Sequence, residues 1–241
     1  MIAFFDSLRT MSFGAMAFRF LLAVLFGGLI GIERERHSRA AGLRTYSLVC
    51  IGAALAVMLS EYEYAMIHTV WADKMASIGI GTDVSRFGAQ VINGIGFLGA
   101  GSILVTGRQE VKGLTTAAGL WACACVGLAI GAGFYEAVVV AFILIFISIR
   151  YLQGIGTRLK ERSKNMNIYV EFTSLDQVAE VVGAVKSANA RIYDMEINQP
   201  NATSMGRASA VMFLGLEKET KHTDVLTRVA CLETVTACEE I

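Results

Sequence analysis

Charge is scarce in this sequence: only 17% of its 241 residues are Asp, Glu, Lys or Arg, against 54% hydrophobic. Soluble domains carry about a quarter charged residues, so the balance excludes an ordinary water-soluble protein and points to lipid. Net charge is absent too, with 21 basic and 21 acidic residues, so bulk electrostatics argue for neither a nucleic acid nor a strongly acidic partner. Histidine is scarce, and His37, His68 and His222 are scattered along the chain. No Ser/His/Asp or paired-carboxylate arrangement is apparent, so no enzyme is expected. The five cysteines contain no C-x-x-C. Cys123 and Cys125 form C-x-C with no histidine near them, which reads as small buried residues rather than a metal site. Cys50 also lies in an apolar run, where a disulfide framework has no purpose, and all five are read as reduced. No metal and no cofactor is expected.

What is abundant is the apolar run. Segments from about Phe13 to Ile32, Thr45 to Ser60, Phe87 to Thr106, Leu114 to Gly131 and Phe134 to Ile149 each approach the ~20 residues a helix needs to cross hydrocarbon. The first lacks a basic leader and a cleavage site, running into Glu33, Arg34, Glu35 and Arg36, so it is expected to remain as an anchor. The expectation is a membrane all-α bundle of about five transmembrane helices. Between Tyr62 and Gly81, Met66, Ile67, Val70, Trp71, Met75 and Ile78 give one apolar face among charges, read as an interfacial or re-entrant helix rather than a span. Basic residues collect in the first connection (Arg34, Arg36, Arg39, Arg44), the third (Arg108, Lys112) and the tail after the last span. Lys and Arg are retained on the cytoplasmic side, so the N-terminus is expected outside and the C-terminal domain in the cytoplasm.

Composition changes after Arg162: of 24 glycines only Gly183, Gly206 and Gly215 lie beyond it, and alternating patterns replace the long runs. Residues 1–153 are read as the transmembrane domain, 154–165 as a linker and 166–241 as a small α+β domain. In it, "MNIYVEFT" reads as a strand, Leu175 to Ala188 as an amphipathic helix, and "RIYDMEI" and "RASAVMFLGLE" as strands joined by a turn holding the single proline, Pro200. A helix from Thr223 to Cys231 and a strand from Thr234 to Glu239 complete a ferredoxin-like β-α-β-β-α-β order. So short a module would gain from docking or dimerisation through its sheet.

Three motifs carry the functional reading. "GIGFLG", Gly94 to Gly99, matches G-x-G-x-x-G, but it sits inside an apolar span and Gly119, not an acid, stands about twenty residues on. A nucleotide site is therefore rejected. Gly94, Gly96, Gly99 and Gly101 instead allow close packing or a helix break, while Gly27 with Gly31 and Gly127 with Gly131 are G-x-x-x-G pairs suited to contact within one bundle or, less favoured, across a homodimer. Asp83, Arg86, Gln90 and Asn93 are spaced by three, four and three residues. At ~100° per residue they share one arc of roughly 80°. In hydrocarbon at mid-depth Asp or Arg costs at least ~2.5 kcal/mol, so the stripe is expected to face the bundle interior or a water-filled cavity. For Asp83 and Arg86 an outer-face ion pair at the headgroup level stands beside a functional role; Gln90 and Asn93, which lie deeper, are read as functional. Arg44, Thr45, Thr115 and Thr116 at span ends would complete a polar lining, or serve as a snorkelling anchor and helix-bonded hydroxyls.

Together "GLIGIERE" at Gly28, "AGLRTYSLVCIGAAL" from Ala41, "DVSRFGAQVINGIGFLGAGSIL" from Asp83 and "GLTTAAGLWACACVGLAIGAG" from Gly113 resemble the MgtC/SapB family of bacterial inner-membrane proteins over about residues 15 to 150. The resemblance implies a five-span bundle with, in longer members, a cytoplasmic ACT-like domain. It implies a non-enzymatic role in adaptation to low magnesium and in virulence, with the F-type ATP synthase as the membrane complex that some members restrain. The alternative from the residues is an ion transporter or channel, for magnesium or another cation, using the third-span stripe. The family motif falls on Glu33, Arg44, Thr45, Asp83, Arg86, Gln90, Gly94, Gly96, Gly99, Gly101, Gly113, Thr115, Thr116 and Trp121. Asn93 stands where a serine is expected, and "FTSLDQV" lacks the Pro-Gly turn of amino-acid-binding ACT domains, so no amino-acid ligand is predicted.

Overall fold

A computed structural model describes residues 8–74, 83–105, 111–152, 154–156, 159, 163–198, 208–217 and 220–241. Met1–Leu104 with Val111–Leu152 form a helical unit, and Val105–Glu110 with Gln153–Ile241 form a small strand-containing one.

The helical unit contains α1 (Phe13–Arg36), α2 (Leu43–His68), α3 (Arg86–Gly101), α4 (Leu114–Gly131) and α5 (Tyr135–Ile147), which runs on as a π-helical turn, Ser148–Leu152; along the chain between α3 and α4 lie the two-residue strands β1 (Leu104–Val105) and β2 (Val111–Lys112). Ser12 caps α1 by accepting from the Ala15 amide, 3.3 Å, the usual way an orphan donor at a helix start is satisfied. The next start has no capping side chain of its own; Glu35 reaches across the loop to accept from the Leu43 amide at 3.0 Å. Gly113 sets the entry to α4 with φ +98°, against the Ser102 carbonyl. Only a residue without Cβ accepts that conformation and contact.

Among the described residues four helices are long and apolar enough to cross a membrane: Phe13–Arg36, Leu43–His68, Leu114–Gly131 and Tyr135–Gly156. α3, on the third expected span, has 16 residues, about 24 Å of rise. The second expected segment is longer than its composition suggests. α2 continues through Glu61 and Glu63 to His68, which corrects the reading of a separate interfacial helix beginning at Tyr62; Arg19 neutralises Glu61, as described below. Met75 and Ile78 of that reading, and the Pro200 turn, lie outside the described residues.

α2 is the centre of the unit. Small or slim residues on it, Cys50, Ala53 and Ala54, are buried with Tyr46 between α1 and α4. Leu21, Leu25, Leu48, Val140 and Leu144 point outward, the distribution expected when apolar side chains meet lipid rather than water.

The second unit builds β3 (Asn165–Phe172), a 3-10 turn (Leu175–Gln177), α6 (Val178–Ser187), β4 (Ala190–Asn198), β5 (Ala208–Leu216), α7 (His222–Ala230) and β6 (Val235–Glu240). Ser174 and Gln177 cap one another's backbone at the entry to α6, and Asn189 ends it with φ +55°. The sheet is antiparallel, in the order β4-β5-β3-β6. Alternate residues of β3, Met166, Ile168, Val170 and Phe172, are buried with Val181 and Val185 of α6 and Val225 and Val229 of α7. That alternation is what a half-buried strand requires.

Candidate functional site

The two G-x-x-x-G pairs lie on either flank of α2. A methyl at Gly27 would come within 2.8 Å of the Tyr46 carbonyl, and one at Gly31 within 2.6 Å of Leu43 Cα. On the other flank, a methyl at Gly131 would meet the Ala54 carbonyl at 2.5 Å, and Gly127 is packed as closely on the Cys50 backbone. Glycine removes bulk here so that three helix backbones approach.

The same face of α1 carries an arginine towards each end. Arg19 is 1% exposed. It donates to Glu61 Oε2 at 2.8 Å, the Gly131 carbonyl at 2.6 Å and the Arg9 carbonyl at 3.0 Å, so one guanidinium joins α1, α2 and the last carbonyls of α4. Cations at a helix C-terminus are favoured by its dipole. At the other end Arg34, 3% exposed, donates to Thr116 Oγ1 at 2.8 Å, and the buried Tyr46 hydroxyl donates to the Thr116 carbonyl at 3.4 Å. Among the described residues the Nε atoms of both arginines find no hydrogen-bond partner. Beside Arg34, Glu33 is buried with its carboxylate 3.4 Å from Arg150 Nε and His37 Nδ1, tying α1 to the end of α5.

Sequence reasoning passed over Arg19, Tyr46 and Glu61, and read Arg34 as a loop charge. The signal was available for the arginines. Arg19 is the single ionisable residue inside the first apolar run, and Arg19, Ala23, Gly27, Gly31 and Arg34 follow one another at four- and three-residue steps, one face of a helix.

The predicted stripe lies elsewhere than expected. α3 is held by Ile95 and Gly99, which are buried, Gly99 against Ala117 of α4. Arg86, Gln90 and Asn93 are all exposed and, at ~100° per residue, fall on the opposite side of the helix. Of the two expectations, the bundle interior and a water-filled cavity, the fold of this chain does not meet the first: the apolar Ile95 side of α3, not the polar one, packs on α2 and α4. Asp83 precedes the helix. Its Oδ1 accepts from Ser85 Oγ at 2.6 Å and the Ser85 amide at 3.0 Å. These bonds, with the charge of Arg86, hold its carboxyl below the usual carboxylate range. Ser60 Oγ donates to the Val84 carbonyl at 2.7 Å and fastens this lead-in to α2.

The remaining predicted positions do not gather around the stripe. Gly94, Gly96 and Gly101 have no atom within 4 Å of where a Cβ would stand. Arg44 and Thr45 are exposed at the start of α2, Thr115 is exposed beside an open apolar groove it shares with Ser148, and Trp121 is 48% exposed on α4. Among the described residues no three His, Cys, Asp or Glu side chains cluster to hold a metal ion. The arrangement offers fixed internal locks and one outward polar face.

Comparison with known proteins agrees with the motifs. Residues 20–158 match the MgtC family. YhiD of Escherichia coli (strain K12), provisionally named a magnesium transporter, is 36% identical over 150 residues, 62% of this chain and 66% of YhiD. Protein SapB of Bacillus subtilis (strain 168) is 28% identical over 183 residues, 73% of this chain and 75% of SapB. Protein MgtC of Brucella abortus (strain 2308) is 42% identical over 123 residues, 51% of this chain and 45% of that protein. The chain thus spans just under two thirds of YhiD and less than half of the Brucella protein. No solved structure matches.

Proposed function

The chain belongs to the MgtC family, and from that premise we propose that it is a non-enzymatic regulatory protein of the bacterial inner membrane. It engages a larger membrane complex through the outer surfaces of its helices and contributes to growth at low magnesium and to virulence; the F-type ATP synthase is the complex that the family resemblance names. In this reading α3 is a fifth span, the N-terminus lies outside and the C-terminal domain in the cytoplasm. The ferredoxin-like, ACT-like reading of that domain draws support from its antiparallel β4-β5-β3-β6 order.

One observation carries the proposal. The ionisable groups inside the bundle are held in fixed contacts, Arg19 by Glu61 and Arg34 by Thr116, while the amides of Gln90 and Asn93 are turned away from it. Groups that lipid cannot solvate, presented outward, suit association rather than an internal path. Extraction in a gentle detergent is expected to bring a larger membrane assembly with the chain. Recovery of the chain alone, with membrane energetics unchanged on deletion, would refute the proposal.

The name of YhiD favours a second reading, cation transport. Magnesium prefers oxygen ligands and keeps several waters, and the stripe supplies one carboxylate, Asp83. Liposomes carrying the purified chain and a cation-sensitive dye decide between them: flux abolished by Asp83→Ala replaces regulation with transport.

A further inference from the structure

The outward face of α3 is not a random scatter of polar groups. Arg86, Gln90, Asn93, Phe97 and Ala100 follow one another at intervals of four, three, four and three residues, the repeat of a helix-pairing seam. This seam is centred opposite buried Ile95. Phe97, the fourth of these, is 81% exposed. Gly94 and Gly101 flank it with nothing within 4 Å of a Cβ position, so a second helix backbone would meet no steric barrier there. Among the described residues neither the Gln90 nor the Asn93 amide has a hydrogen-bond partner, and hydrocarbon provides none.

We infer that this seam packs against the same seam of a second copy of the chain, α3 beside α3 and in parallel. Two copies inserted alike bring equal residues to equal depth, and the chemistry of the face is suited to meeting itself. A primary amide both donates and accepts, so Asn93 satisfies the copy's Asn93 and Gln90 its Gln90. A single amide at such a seam position also fixes register and the number of helices. Charge is self-complementary at the outer end: Ser85 occupies Asp83 Oδ1, leaving Oδ2 for the copy's Arg86, three residues along. Lipid would match Phe97 but not the amides. An unrelated helix would need its own acid, amides and small residues at these spacings, whereas the chain already possesses them.

The inference deepens the proposed function and rests on its premises that α3 lies in the membrane and that the outward amides serve association: a second copy takes the amide face, and the paired chains offer the outward sides of α1 and α5 to a larger complex. The full chain carrying benzoylphenylalanine in place of Phe97, in phosphatidylethanolamine and phosphatidylglycerol vesicles and in cell membranes, is expected to give a covalent dimer on illumination. The same group in place of Leu21, exposed on α1, is expected to give none above background. Asn93→Val should lower dimer yield about three- to tenfold, and Asn93→Gln, which keeps the amide, should restore part of it. Lipid adducts alone at Phe97, or equal yields at Phe97 and Leu21, overturn the inference. Adducts at Phe97 with a different protein also overturn it, while leaving the proposed function standing. Where Asn93→Val fails to accumulate, the Phe97 and Leu21 pair decides the matter without it.

Discussion

Replacing Gly31 by alanine tests the packing of α1 on α2 most directly. The added methyl would stand 2.6 Å from Leu43 Cα, 2.9 Å from the Gly42 carbonyl and 2.9 Å from the Leu43 nitrogen. All three are backbone atoms at the start of a helix, so no side chain swings aside to relieve the clash. Ordinary carbon–carbon contact lies near 3.5–4.0 Å, which requires α1 and α2 to part by about 1 Å. Overpacking of this kind costs about 1–3 kcal/mol, and parting the helices also loosens the Arg34 bond to Thr116, 2.8 Å. Gly96→Ala is the matched control, because nothing lies within 4 Å of its Cβ position; there the change removes backbone entropy and stabilises by roughly 0.5–1 kcal/mol. Reversible denaturant unfolding of the full chain in mixed micelles, followed by the fluorescence of its two tryptophans, Trp71 and Trp121, measures both. Gly31→Ala should lower the midpoint and Gly96→Ala leave it equal or higher. Equal midpoints for the two variants would refute the close approach of these helices.

Arg19→Met removes the donor to Glu61, Gly131 and Arg9 together, and the stranded carboxylate should cost about 3–5 kcal/mol of stability; adding Glu61→Met should recover part of the loss in the same unfolding measurement. Asp83 titrates below its ordinary value because Ser85 donates to its charged form, so its contribution is present above the ordinary Asp range and lost as pH falls through the lowered value. Ser85→Ala should move that titration upward, as read by carboxyl NMR. Burial and the neighbouring Glu239 charge push the Cys238 thiol from 9.0 up to about 11. At pH 8 its thiolate population is roughly a hundredfold below that of an unperturbed thiol. Iodoacetamide should therefore label exposed Cys231 well before Cys238, with the gap closing as pH rises.

Periodicity alone made α1, α4 and the second unit's strands legible, because their patterns are long or cleanly alternating. The end of α2 was not. Its apolar segment reads as ending at Ser60, just before Glu61 and Glu63, and the cancelling charge, Arg19, lies 42 residues away in sequence. Arg34 looked like one more loop arginine because its burial depends on the Gly27 and Gly31 face beneath it. β1 and β2 are two residues each, too short to leave a pattern. The stripe on α3 was legible as a stripe, but its direction was not. A helix with an amide face and an Ile95–Gly99 face has two candidates for the inside, and the choice belongs to the neighbours.

Fifteen residues separate Arg19 from Arg34, about 22 Å along the axis of α1, whereas the oily layer of a typical bilayer is ~30 Å thick. Both guanidinium groups are fixed by bonds to other helices, so neither is free to stretch outward when acyl chains lengthen. Both are also buried, 1% and 3% exposed, so acyl chains meet neither charge and protein groups answer each one. A change in the acyl-chain length of the host membrane is thereby expected to leave the contacts of both arginines in place.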